Sequence, residues 1–297
     1  MSHSGMIIPE RSRDIGDFLV GRLLPFRKKW MIGPFIFIDH MGPVTLGPER
    51  YMDVGQHPHI GLATLTYLFE GTLEHRDGLG TRQRIEPGSV NLMVAGRGIT
   101  HTERTPEPMR MGTVFTLHGY QIWIALPKPQ ENMAPAFFHA QATELPKWKT
   151  PEASYTLICG KAFGKESPVP YYSKLFLLEV KTDGKATLNL AEGVEGEIGI
   201  IVVSGSVQAC NTEIPVGSIL YSKAGETCKI SCDAETHLMV FGGEPLPEER
   251  LIHWNFVASS RSKIEAARQQ WKDKTFPMMA GEKSYIPLPE SQSPLKN

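Results

Sequence analysis

The chain has 297 residues and a formal net charge of −1, with 41% hydrophobic and 21% charged residues. That length accommodates two average domains with a sizeable buried core, and the charge balance argues against a basic nucleic-acid surface or an acidic disordered tail. Met1–Arg13 lacks the apolar core of a signal peptide, and no apolar run reaches the ~18 residues needed to span a bilayer, so a soluble, cytoplasmic protein without membrane association is expected.

In chain order, short segments rich in Val, Ile, Leu, Thr, Tyr and Phe predict strands at 62–69, 89–94, 112–117, 121–126, 175–180, 198–203, 219–222 and 238–241. Twenty-eight Gly and 23 Pro punctuate them, the pattern of a β-sandwich or barrel. A Pro-rich stretch at 127–151 reads as a connection. One helix is predicted near 260–272, where Ile264, Ala267 and Trp271 recur at helical spacing and Ser259 or Ser260 supplies a cap. From Pro287 onward the chain is polar and expected to fray. Cys159, Cys210, Cys228 and Cys232 form no Cys-x-x-Cys pair and read as reduced, buried thiols. Cys228 and Cys232 share a strand face, but about 13 Å separates them at ~3.3 Å per residue, too far for a bridge.

The chain also resembles itself. "TYLFEGTLEHRD" and "IEPGSVNLMVAGRGITHT" in the first half parallel "GIIVVSGSVQAC" and "IPVGSILYSKAGETCKIS" in the second. The Gly-Ser landmark at 88 recurs at 217 and the Ala-Gly landmark at 95–96 recurs at 224–225, an offset of 129 residues. Two copies of one β-domain follow, 1–130 and 131–297, the second carrying the C-terminal helix.

Four of the ten histidines fall between 57 and 101. His57-Pro58-His59 places two imidazoles at i and i+2, which on extended backbone leave the same face. His101-Thr102-Glu103 repeats that spacing with an imidazole and a carboxylate. Two such pairs on neighbouring strands make a three-His, one-carboxylate set for one divalent transition metal: Fe(II), Mn, Ni, Cu or Zn. A six-coordinate ion would keep two positions open for water, O2 or substrate. The second copy acts as a control. The 129 offset places Ile230 at His101 and Cys232 at Glu103, whereas the Gly71–Gly205 offset of 134 places Ala191 at His57 and Gly193 at His59. The second copy therefore keeps the scaffold without the ligands.

Other residues read more plainly. His75, in the hairpin after Gly71, is expected at the surface, with a hydrogen-bonding place in the pocket as the alternative. Arg97 is either a solvated turn charge or a group at the pocket mouth. His118, His139, His237 and His253 have no partner at metal spacing and are expected to be structural. The chain contains no dinucleotide fingerprint, Walker loop, nucleophile elbow or His-Glu-x-x-His motif.

At "PFIFIDHMGP", "HPHIGLATLTYLFEG", "EPGSVNLMVAGRGITHTE" and "HWNFVASSRSKIEAARQQW" the sequence resembles the pirins, a family within the two-domain cupin superfamily. The resemblance implies an all-β bicupin of two packed β-sandwich barrels with a short C-terminal helix. It implies a metal in the N-terminal barrel on His57, His59, His101 and Glu103, usually iron. It further implies either quercetin 2,3-dioxygenase activity, opening a flavonol with O2 and releasing carbon monoxide, or a redox-sensitive role as cofactor of a transcription regulator or metabolic enzyme. On the first reading Glu103 is the catalytic base, and Phe35, Phe37 and Met93 are expected to wall the planar substrate. The sequence departs from the family at Ile60 and Ala63, where pirins carry Arg and Glu, and at His40, where an acidic residue is more usual.

Overall fold

The computed structural model describes residues 5–289 except 17, 210, 211, 227 and 228, so Cys210 and Cys228 lie outside the described residues. The protein is an all-β bicupin. Two compact units form. One comprises Met1–Arg13, Gly21–Asp39 and Ala140–Leu246; the other comprises Asp14–Val20, His40–His139 and Pro247–Asn297.

In the unit centred on His40–His139, a four-stranded sheet runs in the order Asp53–His59, Ile99–Arg104, Leu73–Asp77, Arg82–Ile85. The strands Ala136–Ala140, Val90–Val94, Leu62–Glu70 and Phe115–Ala125 lie side by side in a larger sheet. Leu73 and Ile85 from the first sheet meet Leu68 and Leu117 from the second in a buried core, so alternate residues of each strand point inward. The strands predicted at 112–117 and 121–126 are a single strand, Phe115–Ala125. A bulge at His118/Gly119 accommodates the interruption, and a Cβ at Gly119 would lie 2.4 Å from the Tyr67 carbonyl oxygen. The Pro-rich stretch is ordered, carrying a 3-10 turn at Lys128–Gln130 and the strands Ala136–Ala140 and Lys147–Lys149.

The C-terminal helix spans Arg261–Lys272 and buries Ile264, Ala267 and Trp271. No serine side chain caps its first turn. Instead, the buried Glu131 carboxylate accepts the Ser259 N–H at 2.7 Å and its hydroxyl at 2.8 Å, and pairs with Lys263 and Arg250. An anion at a helix N-terminus offsets the partial positive charge of its unpaired N–H groups. Ile60, where pirins carry Arg, packs in the apolar cluster of Phe256, Ile264, Ala267, Trp271 and Phe276. That departure therefore anchors the helix to the strand bearing His59.

The other unit repeats the four-stranded sheet as Ala186–Leu188, Ile230–Cys232, Val207–Ala209, Thr212–Ile214. Its larger sheet contains Met6–Pro9, Ser218–Ser222, Glu197–Ser204, His237–Gly243, Leu175–Lys181, Ser154–Ala162 and Lys147–Lys149. Phe35 meets Phe241 edge-to-face at 5.2 Å in this unit, and Phe37 lies under the Arg22 guanidinium.

Candidate metal centre

Strand register brings the histidines together. His101 pairs with His57 on one side and Asp77 on the other, Ile99 pairs with His59, and Glu103 pairs with His75. Residues directly opposite in an antiparallel sheet share a face, so these six polar side chains point inward together. The rings of His57, His59 and His101 have centroids 4.3, 4.9 and 5.1 Å apart. Each offers a nitrogen within 4.8 Å of the others. Glu103 joins His101 and His75 in a second, overlapping set at the same limit.

The outer ring nitrogens are tethered. His57 Nδ1 lies 2.8 Å from the Gly55 carbonyl and His59 Nδ1 lies 3.2 Å from the Asn255 carbonyl. A carbonyl only accepts, so both Nδ1 atoms carry the hydrogen and both Nε2 atoms present a lone pair. His101 Nδ1 faces His75 Nδ1 at 3.3 Å, while His101 Nε2 is buried without a hydrogen-bond partner among the described residues. An orphaned buried nitrogen is costly unless something outside the chain binds it. The donor set of imidazole nitrogens with a nearby carboxylate fits a divalent transition metal.

Burial makes the imidazoles ready ligands. Desolvation drives His57 down to about 4 and holds His59 and His101 well below the ordinary histidine value, so all three are neutral at pH 7. Desolvation raises the Glu103 carboxyl to about 7, against a weak opposing contact from the Thr66 hydroxyl at 3.4 Å. The Thr66 hydrogen is better placed on Gln121 Oε1, at 2.8 Å.

The wall facing the histidines comes from the larger sheet. Trp123 lies edge-on to His59 at 5.0 Å. Thr64 pairs with both Trp123 and Met93, and Thr66 pairs with Gln121, so Thr64, Thr66, Met93, Gln121 and Trp123 share a face. Met93 thus shares the face that carries Trp123.

His75 is buried at 5% exposure, which corrects the surface reading. Its Nε2 lies 3.1 Å from Asp77 Oδ2, and Phe137 stacks on its ring at 4.6 Å. Burial opposes ionisation of Asp77, but hydrogen bonds from His75 and Thr81 outweigh it and hold that carboxyl below its ordinary value. Sequence reasoning missed Asp77, Thr66, Gln121, Trp123 and Asn255. The signal for Asp77 was present: His75-Arg76-Asp77 has the same i, i+2 spacing as the ligand pairs. Arg97 is exposed. His40 Nε2 meets His118 Nε2 at 2.9 Å, His139 bonds Asn91, and His237 pairs with Glu179.

Residues 279–286 brace the strand that carries His57 and His59. Gln56 bonds Ser284 and the backbone of Met279 and Ile286, and Arg104 pairs with Glu282. Among the described residues no helix is long and apolar enough to cross a membrane.

Comparison with known proteins agrees with this architecture. The Pirin family model matches residues 18–124 and the Pirin C-terminal cupin domain matches residues 176–277. A pirin-like protein of Caulobacter vibrioides is 40% identical over 96% of this chain and 99% of its own. A Pseudomonas aeruginosa protein named as a candidate quercetin 2,3-dioxygenase is 35% identical over 90% of this chain and 83% of its own. The crystal structure of a quercetin 2,3-dioxygenase from Acinetobacter baumannii superposes with a TM-score of 0.89 at 32% identity, covering 98% of this chain and 97% of that one. With both cupin domains matched and a relative this similar along nearly its whole length, the chain belongs to the pirin family.

Proposed function

We propose that the chain is a metal-dependent dioxygenase of the quercetin 2,3-dioxygenase type, opening a flavonol ring with O2. His57, His59, His101 and Glu103 hold one divalent ion, Fe(II) in our reading, with Zn, Cu, Mn and Ni as alternatives. The observation that carries this is the convergence of three neutral, buried imidazole nitrogens beside a carboxyl raised to about 7. Two relatives named for quercetin 2,3-dioxygenase activity support the substrate class. When bound, the ion supplies Lewis acidity and, if redox-active, electron exchange with O2.

The chain's own groups do the rest. Glu103, poised near neutrality, takes the proton of the flavonol hydroxyl as general base. Thr66, with a single hydroxyl hydrogen, sits 3.4 Å from the same carboxylate and can donate to it only when released from Gln121. Trp123 and Met93 offer apolar surface to a planar ring. The tethers from Gly55 and Asn255 hold the imidazoles in the ligating tautomer before an ion arrives. Cytoplasmic residence is also our reading; the buried, unpaired thiols of Cys159 and Cys232 suit a reducing compartment.

The test uses wild type and Glu103→Ala, both loaded anaerobically with Fe(II). Metal is counted by elemental analysis, and O2-dependent loss of quercetin absorbance is followed. One metal per chain, with turnover in wild type alone, supports the proposal. Metal without turnover would favour a redox-sensitive regulatory role, and wild type without metal would remove the site.

A further inference from the structure

We propose that Asp77 and His75 form a tautomer relay that keeps Nε2 of His101, the nitrogen facing the metal site, free of hydrogen. The purpose of the relay rests on the metal reading above, but its existence does not. An ionised Asp77 only accepts hydrogen bonds, so His75 carries its hydrogen on Nε2, 3.1 Å from Asp77 Oδ2. His75 Nδ1 is then an acceptor, and at 3.3 Å it takes the hydrogen of His101 Nδ1. His101 is left with a bare lone pair on Nε2, the buried atom without a partner among the described residues. The polarity of two successive hydrogen bonds is thus fixed by one carboxylate.

Three further observations show that the relay is built. Asp77 cannot rotate freely, because Oδ1 accepts the Leu79 N–H at 2.9 Å and the Thr81 N–H at 3.1 Å. Phe137 stacks on His75 and holds its plane. In the other unit, Val207 pairs with Cys232 and Ala209 with Ile230, in the register that places His75 against Glu103 and Asp77 against His101. Val207 and Ala209 belong to an apolar core, so the fold does not require a histidine and an aspartate at those two positions.

His57 and His59 reach the same end by bonding directly to backbone carbonyls. His101 instead depends on a residue two hydrogen bonds away, which makes the relay breakable at a distance. Asp77→Asn is the decisive substitution. The two turn N–H groups retain the amide oxygen, which places the amide NH2 against His75 Nε2. His75 Nε2 must then accept, His75 Nδ1 must donate, and His101 carries its hydrogen on Nε2, where it blocks ligation.

The experiment reads tautomers directly, by long-range 1H–15N correlation of the imidazoles in the metal-free protein. The expected wild-type result is Nε2–H for His75 and Nδ1–H for His101; the reverse at His101 would overturn the relay. Asp77→Asn should invert both and weaken Zn(II) binding about 10- to 100-fold in a chelator competition. Adding His75→Asn should restore binding, because the new amide oxygen can accept from His101 Nδ1 without Asp77. Unchanged tautomers in Asp77→Asn, or a double variant as weak as the single one, would refute the proposal. Failure of wild type to bind Zn(II) would sink the metal reading, while the wild-type tautomers would still decide the relay.

Discussion

Glu103 is ionised at a cost in the metal-free fold, and that cost has a definite pH window. Its carboxyl stands at about 7 in the folded chain against an ordinary value of 4.5, chiefly through desolvation. A carboxyl raised on folding binds more protons in the native state, so it lowers stability as pH rises from 4.5 through 7. Each pKa unit is worth about 1.4 kcal/mol, so the full penalty is roughly 3 kcal/mol above neutrality. Because the residue is only half-buried by area, that figure is an upper bound. Glu103→Gln keeps the shape and removes the charge. Urea unfolding of chelator-treated protein should therefore show the variant gaining on wild type by about 2 kcal/mol between pH 5 and pH 8. Divalent metal should reverse the order, since only wild type offers a carboxylate to the ion. A difference between the two proteins that stays constant across that pH range would refute the argument.

The remaining expectations concern the histidines and the C-terminal brace. His57, lowered on folding to about 4 from 6.5, contributes stability that is complete above pH 6.5 and lost as pH falls toward 4. Metal retention, followed by dialysis and elemental analysis, should fail in that same window, because protonated imidazole cannot ligate. Trp271 is fully buried, stacks on Tyr285 at 4.5 Å and donates to the Ile286 carbonyl, so Trp271→Ala should destabilise by about 3–5 kcal/mol in urea unfolding. Glu131→Ala removes the buried carboxylate from the fully buried Arg250 side chain, leaves it only the half-exposed Glu248 at 3.6 Å, and should cost about 3 kcal/mol by the same assay.

The two candidate pairs were legible because strand periodicity is local. His57/His59 and His101/Glu103 announce a shared face from spacing alone, and extended backbone did the rest. Asp77 had the same spacing with His75 but was passed over, since a His-x-Asp in a hairpin is unremarkable until its cross-strand partner is known. That partner depends on register: His75 and Asp77 matter because they lie opposite Glu103 and His101. Asn255 and Ser284 were beyond reach for a different reason. They act through a backbone carbonyl and a hydroxyl on segments 196 and 228 residues away from the groups they hold. Side-chain chemistry in the sequence carries no trace of such contacts.

Register also refines the internal control. The sequence offset of 134 set Ala191 and Gly193 against His57 and His59, yet Leu188 pairs with Ile230 as His57 pairs with His101. The register makes Leu188 the counterpart of His57, and Leu190 follows it two residues on, as His59 follows His57, at the start of a 3-10 turn. Loops of unequal length displaced the alignment without touching the sheet. With that correction, His57, His59, His75, Asp77, His101 and Glu103 answer to Leu188, Leu190, Val207, Ala209, Ile230 and Cys232. All six replacements lie in one apolar core. Burying six apolar groups stabilises a sandwich directly, whereas burying three neutral imidazoles, a hydrogen-bonded His–Asp pair and a carboxyl does not. One scaffold thus carries both solutions. The unit with the polar interior gives up core stability that a bound ion can return, and its apolar twin shows what the fold looks like when stability is the sole demand.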